Sequence, residues 1–112
     1  MAFVSTHKLE FEVAPFKYNL SNPPFMRFRI GQCSGIYRSN DGNYEILGVH
    51  NNTPGNGHFE DVLDWFYMSC KRDKQNLVIL ELINNRFKKH LIDKRGFVLT
   101  NETTAVKFYK DM

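Results

Sequence analysis

The chain has 112 residues, of which 42% are hydrophobic and 14% aromatic, so we expect residues 1–112 to form one globular domain with a core of modest size. The formal net charge of +3 is mild, and Lys and Arg are scattered rather than clustered, which does not indicate a surface dedicated to duplex nucleic acid. No apolar run approaches the roughly 20 residues that cross a bilayer, and the start lacks the charged and apolar regions of an export signal, so the sequence predicts a cytoplasmic protein without a membrane segment.

The chain begins with a predicted strand and a loop. In KLEFEV, residues 8–13, Leu9, Phe11 and Val13 alternate with charged residues, which is the period of a half-buried strand. The prolines and asparagines of APFKYNLSNPP then predict a loop over 14–24.

The next two predicted strands are antiparallel. FMRFRIGQCSGIYRS, residues 25–39, is predicted as a strand that is interrupted or bulged at Gly31 and Gly35. NDGN at 40–43 is typical of a hairpin turn. YEILGVHN, residues 44–51, should therefore run back along it.

The two cysteines carry no metal or disulfide pattern. Cys33 and Cys70 form neither a CxxC pair nor a set with metal-ligand spacing. This favours two reduced thiols in the core of a cytosolic protein over a disulfide, and we expect no metal site.

TPGNGHFEDVL, residues 53–63, places two glycines just before a predicted helix. Gly55 and Gly57 can adopt left-handed backbone angles and approach a ligand closely, and the first turn of a helix offers free N–H groups, a combination that suits a phosphate. An ordinary strand-to-helix turn uses the same residues, so both interpretations stay open. From His58 the apolar residues follow a helical period that forms one stripe: Phe59, Val62, Leu63, Phe66 and Cys70.

The rest of the chain alternates strand and helix. LVILEL at 77–82 is typical of a central strand covered on both faces, so Glu81 within it should have a partner or face an opening. Three further elements follow: a helix RFKKHLIDKR at 86–95, capped by Asn84 or Asn85 and ended by Gly96 with Phe97 packing back, and strands FVLT at 97–100 and TAVKFYK at 104–110.

This order of elements, together with VHNNTPGNG at 49–57, resembles the GNAT superfamily of acyl-CoA-dependent N-acetyltransferases. Val49 matches the end of the family's fourth strand, Gly55 and Gly57 match glycines of its pyrophosphate-binding loop, and the spacing from Asn85 to Gly96 and Phe97 is similar to that of its second conserved helix. The resemblance spans residues 44–112. It implies an α+β fold with a mixed, mostly antiparallel central sheet and about two helices, the family's N-terminal helices being reduced or absent.

The resemblance also implies acetyl-CoA as cofactor and an amine as acceptor: a small molecule, a peptide terminus or a lysine. In the family the fourth strand splays from the fifth and frees backbone groups for the pantetheine arm. The residues that the resemblance assigns to the cofactor are Leu47, Gly48 and Val49 along the thioester, Thr53, Pro54, Gly55, Asn56, Gly57 and His58 around the pyrophosphate, and Asn85 at the pantetheine arm or at the splay. The amide around Val49 would polarise the thioester carbonyl.

Acetyl transfer also needs a base that leaves the amine neutral for attack. Glu45 is the first candidate, because strict alternation would point its side chain to the same side as Leu47 and Val49. An ordinary solvated carboxylate on a strand is the competing interpretation. His50 is the next candidate, followed by His58, since an imidazole titrates near neutral pH.

Several residues depart from the family's pattern. Pro54 replaces a basic residue or glutamine, Phe59 replaces a small residue, and Ile92 stands where a tyrosine often protonates the leaving thiolate. Glu60 and Asp61 suit the dipole at the start of the helix but repel a pyrophosphate, a repulsion that basic residues of the following helix can offset. Those residues are Lys88, Lys89, Lys94 and Arg95.

Two alternatives to catalysis follow from the same residues. A catalytically inactive protein of this fold, of phage or accessory type, would bind a protein partner. The interleaved basic and aromatic residues of FMRFRI and KFYK suit single-stranded nucleic acid, but the alternating faces of a strand produce the same pattern, so nucleic acid is disfavoured.

Overall fold

The computed structural model of the chain describes residues 10–14, 16–51 and 58–112. Within them it forms a seven-stranded sheet with three helices and a final 3₁₀ turn. The strands are β1 (Glu10–Val13), β2 (Met26–Ile30), β3 (Cys33–Asn40), β4 (Asn43–Asn51), β5 (Asn76–Leu80), β6 (Val98–Asn101) and β7 (Thr104–Lys107). The helices are α1 (Phe16–Asn19), α2 (His58–Asp73) and α3 (Asn85–Arg95), and the 3₁₀ turn is Tyr109–Asp111.

The sheet is mixed and mostly antiparallel, which confirms the predicted α+β class. Its spatial order is β1-β2-β3-β4-β5-β7-β6. Of the pairs in the described part of the chain, β4 and β5 run parallel and the others antiparallel. Parallel neighbours need a long crossover, and α2 lies within the one between β4 and β5. None of the helices in the described ranges is long and apolar enough to cross a membrane.

The region 25–39 is interrupted at Gly31 and its pairing is irregular at Gly35, as predicted, but the interruption is a complete reversal of the chain that makes two strands of the region. Gly31, with φ of 55°, and Gln32 form a tight turn, and the chain reverses so that Ile30 pairs with Cys33. The hairpin predicted at NDGN is confirmed. Asp41 and Gly42 have φ of 52° and 80°, as a two-residue turn between antiparallel strands requires.

The segment predicted as a loop at 14–24 contains the four-residue helix α1. The side-chain amide of Asn19 donates a hydrogen bond to the carbonyl of Ala14 at 3.0 Å, which ties the two ends of this turn together. Such a short helix is too local to show as a periodic pattern.

The core lies between α2, α3 and one face of the sheet. The stripe predicted for α2 is confirmed: Phe59 is half-buried, and the other four residues are completely buried. They pack against buried sheet residues that include Phe28, Ile46 and Leu77. A smaller cluster of Ala14, Phe25 and Ile36 covers part of the opposite face.

Both cysteines are free and buried, as predicted. Burial raises the pKa of the Cys33 thiol to about 11. Burial, with a smaller contribution from the charge of Asp73, raises the pKa of Cys70 to about 12. Both residues therefore serve as small apolar core residues rather than as reactive thiolates.

The strand predicted at 77–82 is shorter and less covered than expected. β5 ends at Leu80, and its burial alternates: Leu77 and Ile79 are buried, whereas Val78 and Leu80 are half-buried. Glu81 follows the strand and is exposed, so it does not lie in a buried strand.

The helix boundaries around α3 match the prediction. The Asn84 side chain accepts a hydrogen bond from the Phe87 amide at 3.0 Å and so caps the helix. Gly96 ends it with φ of 72°, and buried Phe97 packs back with its amide 3.0 Å from the Leu91 carbonyl. The last strand is shorter than predicted and gives way to the 3₁₀ turn.

Candidate functional site

Strand β4 carries a bulge at the position where the sequence analysis placed the thioester. Ser34 pairs with His50 and Ile36 with Leu47, so two residues, Gly48 and Val49, stand opposite one residue of β3. Gly48 has φ of 69°, the left-handed conformation that glycine adopts without steric cost. Glycine at position 48 therefore lets the bulge form without backbone strain.

The bulge also changes which way the following side chains point. Leu47 packs against the small cluster, whereas Val49 packs against the main core on the other face. The expectation that Glu45, Leu47 and Val49 share one side of the sheet is therefore wrong. The extra residue of the bulge shifts the alternation by one position.

Beyond the bulge, β4 and β5 separate. Their parallel pairing runs from Asn43 with Asn76 to Leu47 with Leu80, the last pair that the structure describes. The amide of Leu82 bonds instead to the carbonyl of Thr103 at 2.8 Å, which draws the chain away from β4. A gap thus opens between two neighbouring strands of one sheet.

The residues on the two sides of this gap share an unusual backbone conformation. Gly48 follows the last pair on β4 and Glu81 follows it on β5, and both have positive φ, 69° and 52°. For glycine this conformation carries no steric penalty, but for a residue with a Cβ it costs about 1–2 kcal/mol. Such strain is often stored at functional sites.

Two open clefts meet at the gap. The first, of about 530 Å³, lies on the face of Leu47 and has mostly polar and charged walls. The second, of about 550 Å³, lies on the face of Val49 and is more apolar. The first is lined by Glu12, Tyr18, Arg27, Arg29, Gly31, Gln32, Ser34, Gly35, Ile36, Leu47, Gly48 and Glu81. The second is lined by Gly48, Val49, His50, Ile79, Leu80, Glu81, Leu82, Ile83, Asn84, Phe87 and Thr103.

The structure brings several of the predicted site residues together at these clefts. Leu47 lines the first cleft, Val49 and His50 line the second, and Gly48 lines both. Asn85 is the exposed first residue of α3, next to the cleft-lining Asn84. His58 begins α2, and the predicted cofactor residues Thr53, Pro54, Gly55, Asn56 and Gly57 lie outside the described residues.

Glu45 lies apart from the residues that line either cleft. Its carboxylate accepts a hydrogen bond from Arg38 Nε at 2.7 Å, and the two side chains are only 16% and 21% exposed. Arg38 also donates to the carbonyl of Pro23 at 3.3 Å and stacks over the ring of Phe25 at 4.5 Å. Glu45 thus helps to hold the segment that follows α1 against the sheet.

The acidic first turn of α2 is neutralised by α3. Glu60 accepts hydrogen bonds from Arg95 and lies 2.6 Å from His90 Nε2, and Arg95 also reaches Asp64 at 3.1 Å. Partial burial acts to raise the pKa of Glu60, but the bonds from Arg95 and His90 outweigh it and hold the pKa below its usual value. The repulsion that Glu60 would exert on an anion at this helix start is therefore reduced.

Sequence reasoning missed some of the residues that line the clefts. Asn84 was identified only as a helix cap, and Phe87 and Thr103 were not considered. The sequence did contain one signal for Asn84. A helix cap that closely follows a strand lies at the end of the sheet, where the clefts are. No sequence pattern indicated the positive φ of Glu81, because glutamate ordinarily avoids that conformation.

Comparison of the chain with protein-family models, with curated proteins and with solved structures finds no match. Within the described ranges, no cluster of three or more His, Cys, Asp or Glu side chains is placed to hold a metal ion. The function has to be argued from the geometry of the site.

Proposed function

We propose that the chain is an acyl-CoA-dependent N-acetyltransferase of the GNAT type, which transfers an acetyl group from acetyl-CoA to an amine. The observation that carries this proposal is the bulge at Gly48 beside the gap between β4 and β5. It joins an apolar cleft on one face of the sheet to a polar cleft on the other. A reaction between a thioester and an amine needs such a meeting point for two different ligands.

The second cleft suits the acyl donor. Its walls carry the backbone of β4 at Val49 and the apolar residues Ile79, Leu82 and Phe87. Beyond Leu47 the β4 backbone has no described pair on the β5 side, so the amide at the bulge can donate to a thioester carbonyl while a pantetheine arm lies between the strands. Acetyl-CoA would supply the activated acetyl group, and this chain would hold and polarise it.

The start of α2 suits the pyrophosphate. α2 has 16 residues, and its first amides and dipole favour an anion. Arg95 offsets the charge of Glu60 there. Thr53 to His58, which the resemblance assigns to the pyrophosphate, directly precede this helix turn or begin it.

The first cleft suits an amine acceptor. Its wall contains two guanidinium groups and two carboxylates: Arg27, Arg29, Glu12 and Glu81. Arg27 pairs with Glu12 at 3.4 Å and Arg29 pairs with Glu10 at 2.9 Å, so Glu81 is the carboxylate of this wall that no described cation neutralises. A cationic amine is attracted to carboxylates, and the open cleft admits either a small molecule or a chain terminus.

A protein-binding role without catalysis is the second candidate. Ile92, at the position where the resemblance implies a tyrosine acid, is 36% exposed, and Ile83 beside the second cleft is 79% exposed. A partner would have to bury these side chains together with neighbouring surface, since single exposed apolar residues are common on proteins. In this case the fold would be kept and the cofactor site lost.

The binding of acetyl-CoA to the purified protein decides between the two candidates. A ligand at about 100 times its dissociation constant adds about 2.7 kcal/mol to the free energy of unfolding, so we expect a clear rise in the melting temperature at millimolar acetyl-CoA. Adenosine 3′-phosphate 5′-diphosphate at the same concentration is the matched control, because it has the nucleotide of coenzyme A but lacks the pantetheine arm. An unchanged melting temperature with acetyl-CoA would lead us to abandon the enzyme for the binding protein.

A further inference from the structure

Two of the described residues line both clefts, and one of the two has a side chain with a functional group. In the part of the chain that the structure describes, Gly48 and Glu81 are the residues common to the two walls. Glycine contributes only backbone. Glu81 is therefore the described residue with a functional group at the place where the two clefts meet.

The backbone conformation at Glu81 lowers the stability of the fold, because a residue with a Cβ is strained there. With φ of 52°, this position would accept glycine without strain, whereas glutamate loses stability. The side chain is exposed, and among the described residues no hydrogen bond or ion pair holds it. By contrast, Glu12 is paired with Arg27, and Glu45 is paired with Arg38.

We propose that Glu81 is the general base that deprotonates the acceptor amine. This inference rests on the proposed acetyl transfer and replaces Glu45 in the role that the sequence analysis gave to it. An unpaired carboxylate in an open cleft can accept a proton directly or through one water, whereas Glu45 Oε1 is already bonded to Arg38.

The protons and bonds of the transfer balance with Glu81 in this role. The acceptor ammonium gives one proton to the Glu81 carboxylate, and the freed lone pair forms the C–N bond at the thioester carbonyl carbon as the C–S bond breaks. The nitrogen of the adduct then loses a second proton, which the leaving thiolate takes up, and protonated Glu81 releases the first proton to solvent. The products are the N-acetyl amide, the coenzyme A thiol and one proton released to solvent.

The test measures the release of coenzyme A from acetyl-CoA with a panel of primary amines: polyamines, amino acids and short peptides. We expect Glu81→Gln to lower kcat/KM by about 10²- to 10⁴-fold. The dissociation constant of coenzyme A, measured by calorimetry, should change less than about threefold. Glu102→Gln, an exposed glutamate in the turn between β6 and β7, is the matched control.

A second variant separates a base from a structural residue. Glu81→Gly removes the carboxylate at a position whose φ suits glycine, so it should fold at least as stably as the wild type. Added formate should then restore part of its turnover, because a small carboxylate can enter the open cleft. Restoration of turnover is not expected if Glu81 serves only to shape the loop.

The outcomes distinguish the two proposals. If the wild-type protein transfers acetyl groups and Glu81→Gln is equally active, the role of Glu81 is overturned and the proposed function stands. Loss of activity confined to Glu45→Gln, loss of coenzyme A binding in Glu81→Gln, or no rescue by formate would also overturn that role. A wild-type protein that transfers to none of the amines or does not bind coenzyme A would overturn both.

Discussion

At the scale of single residues, Phe59 is a ring of the core that contacts a residue of the second cleft. It is half-buried, packs against the main core and meets the ring of Phe87 edge-on, with centroids 4.5 Å apart and planes at 77°. Phe87 lines the second cleft. Phe59 therefore belongs to the core, as its place in the helical stripe predicts, and its ring packs against Phe87 of the cleft wall.

We expect Phe59→Ala to lower the free energy of unfolding by about 2–3 kcal/mol, less than the roughly 3–5 kcal/mol of a fully buried ring. A double-mutant cycle with Phe87→Ala, measured by urea unfolding, should give a coupling of about 0.5–1.5 kcal/mol. The affinity for coenzyme A should hardly change while the mutant is folded. A stable Phe59→Ala protein that gains coenzyme A binding would instead show that the ring had closed the pocket.

At the scale of elements, the bulge depends on two glycines with different roles. Gly48 supplies a positive φ, and a Cβ built there meets nothing within 4 Å. Gly35 lies on the facing strand, where a Cβ would come within 2.9 Å of the Phe28 ring and 3.3 Å of Val49 Cα. One glycine allows the conformation of the bulge, and the other leaves space for it.

These roles predict different results for two alanine variants. Gly48→Ala should cost about 1–2 kcal/mol of stability through backbone strain alone. Gly35→Ala should cost about 1–3 kcal/mol through overpacking, and it should also weaken coenzyme A binding because it presses on the backbone of Val49. Urea unfolding and calorimetry measure both effects. Equal coenzyme A affinity for Gly35→Ala and the wild type would argue against a donor site at the bulge.

At the scale of the whole molecule, helices and sheet share one main core. Its buried residues come from β2, β3, β4, β5 and β7 as well as from α2 and α3. The radius of gyration, 13.4 Å, agrees with the roughly 13 Å expected for a single domain of this length. Trp65, the one tryptophan of the sequence, lies on α2. Its ring centroid is 5.0 Å from that of Phe11 and 5.1 Å from that of Phe66.

We therefore expect the chain to unfold in a single cooperative step. Urea unfolding followed by Trp65 fluorescence, which reports the contact between α2 and β1, should coincide with unfolding followed by far-ultraviolet circular dichroism. Two separate midpoints would contradict the prediction of one domain over residues 1–112.

Features that depend on neighbouring residues could be predicted from the sequence. The turn at Asp41 and Gly42, the apolar stripe of α2, and the Asn84 and Gly96 caps of α3 were all predicted and are confirmed. Each is set by side chains a few positions apart, so local spacing contains the information.

The arrangement of the candidate site could not be predicted from the residues alone. The sequence analysis placed Glu45 beside Val49 by strict alternation, but the bulge opposite Gly35 turns Val49 to the other face. It also placed Glu81 in a buried strand, whereas the separation of β4 from β5 leaves it exposed with a positive φ. The glycine pattern predicted an irregularity at Gly35, but the faces that the side chains take and the separation of the strands arise from contacts between residues that are distant in the chain.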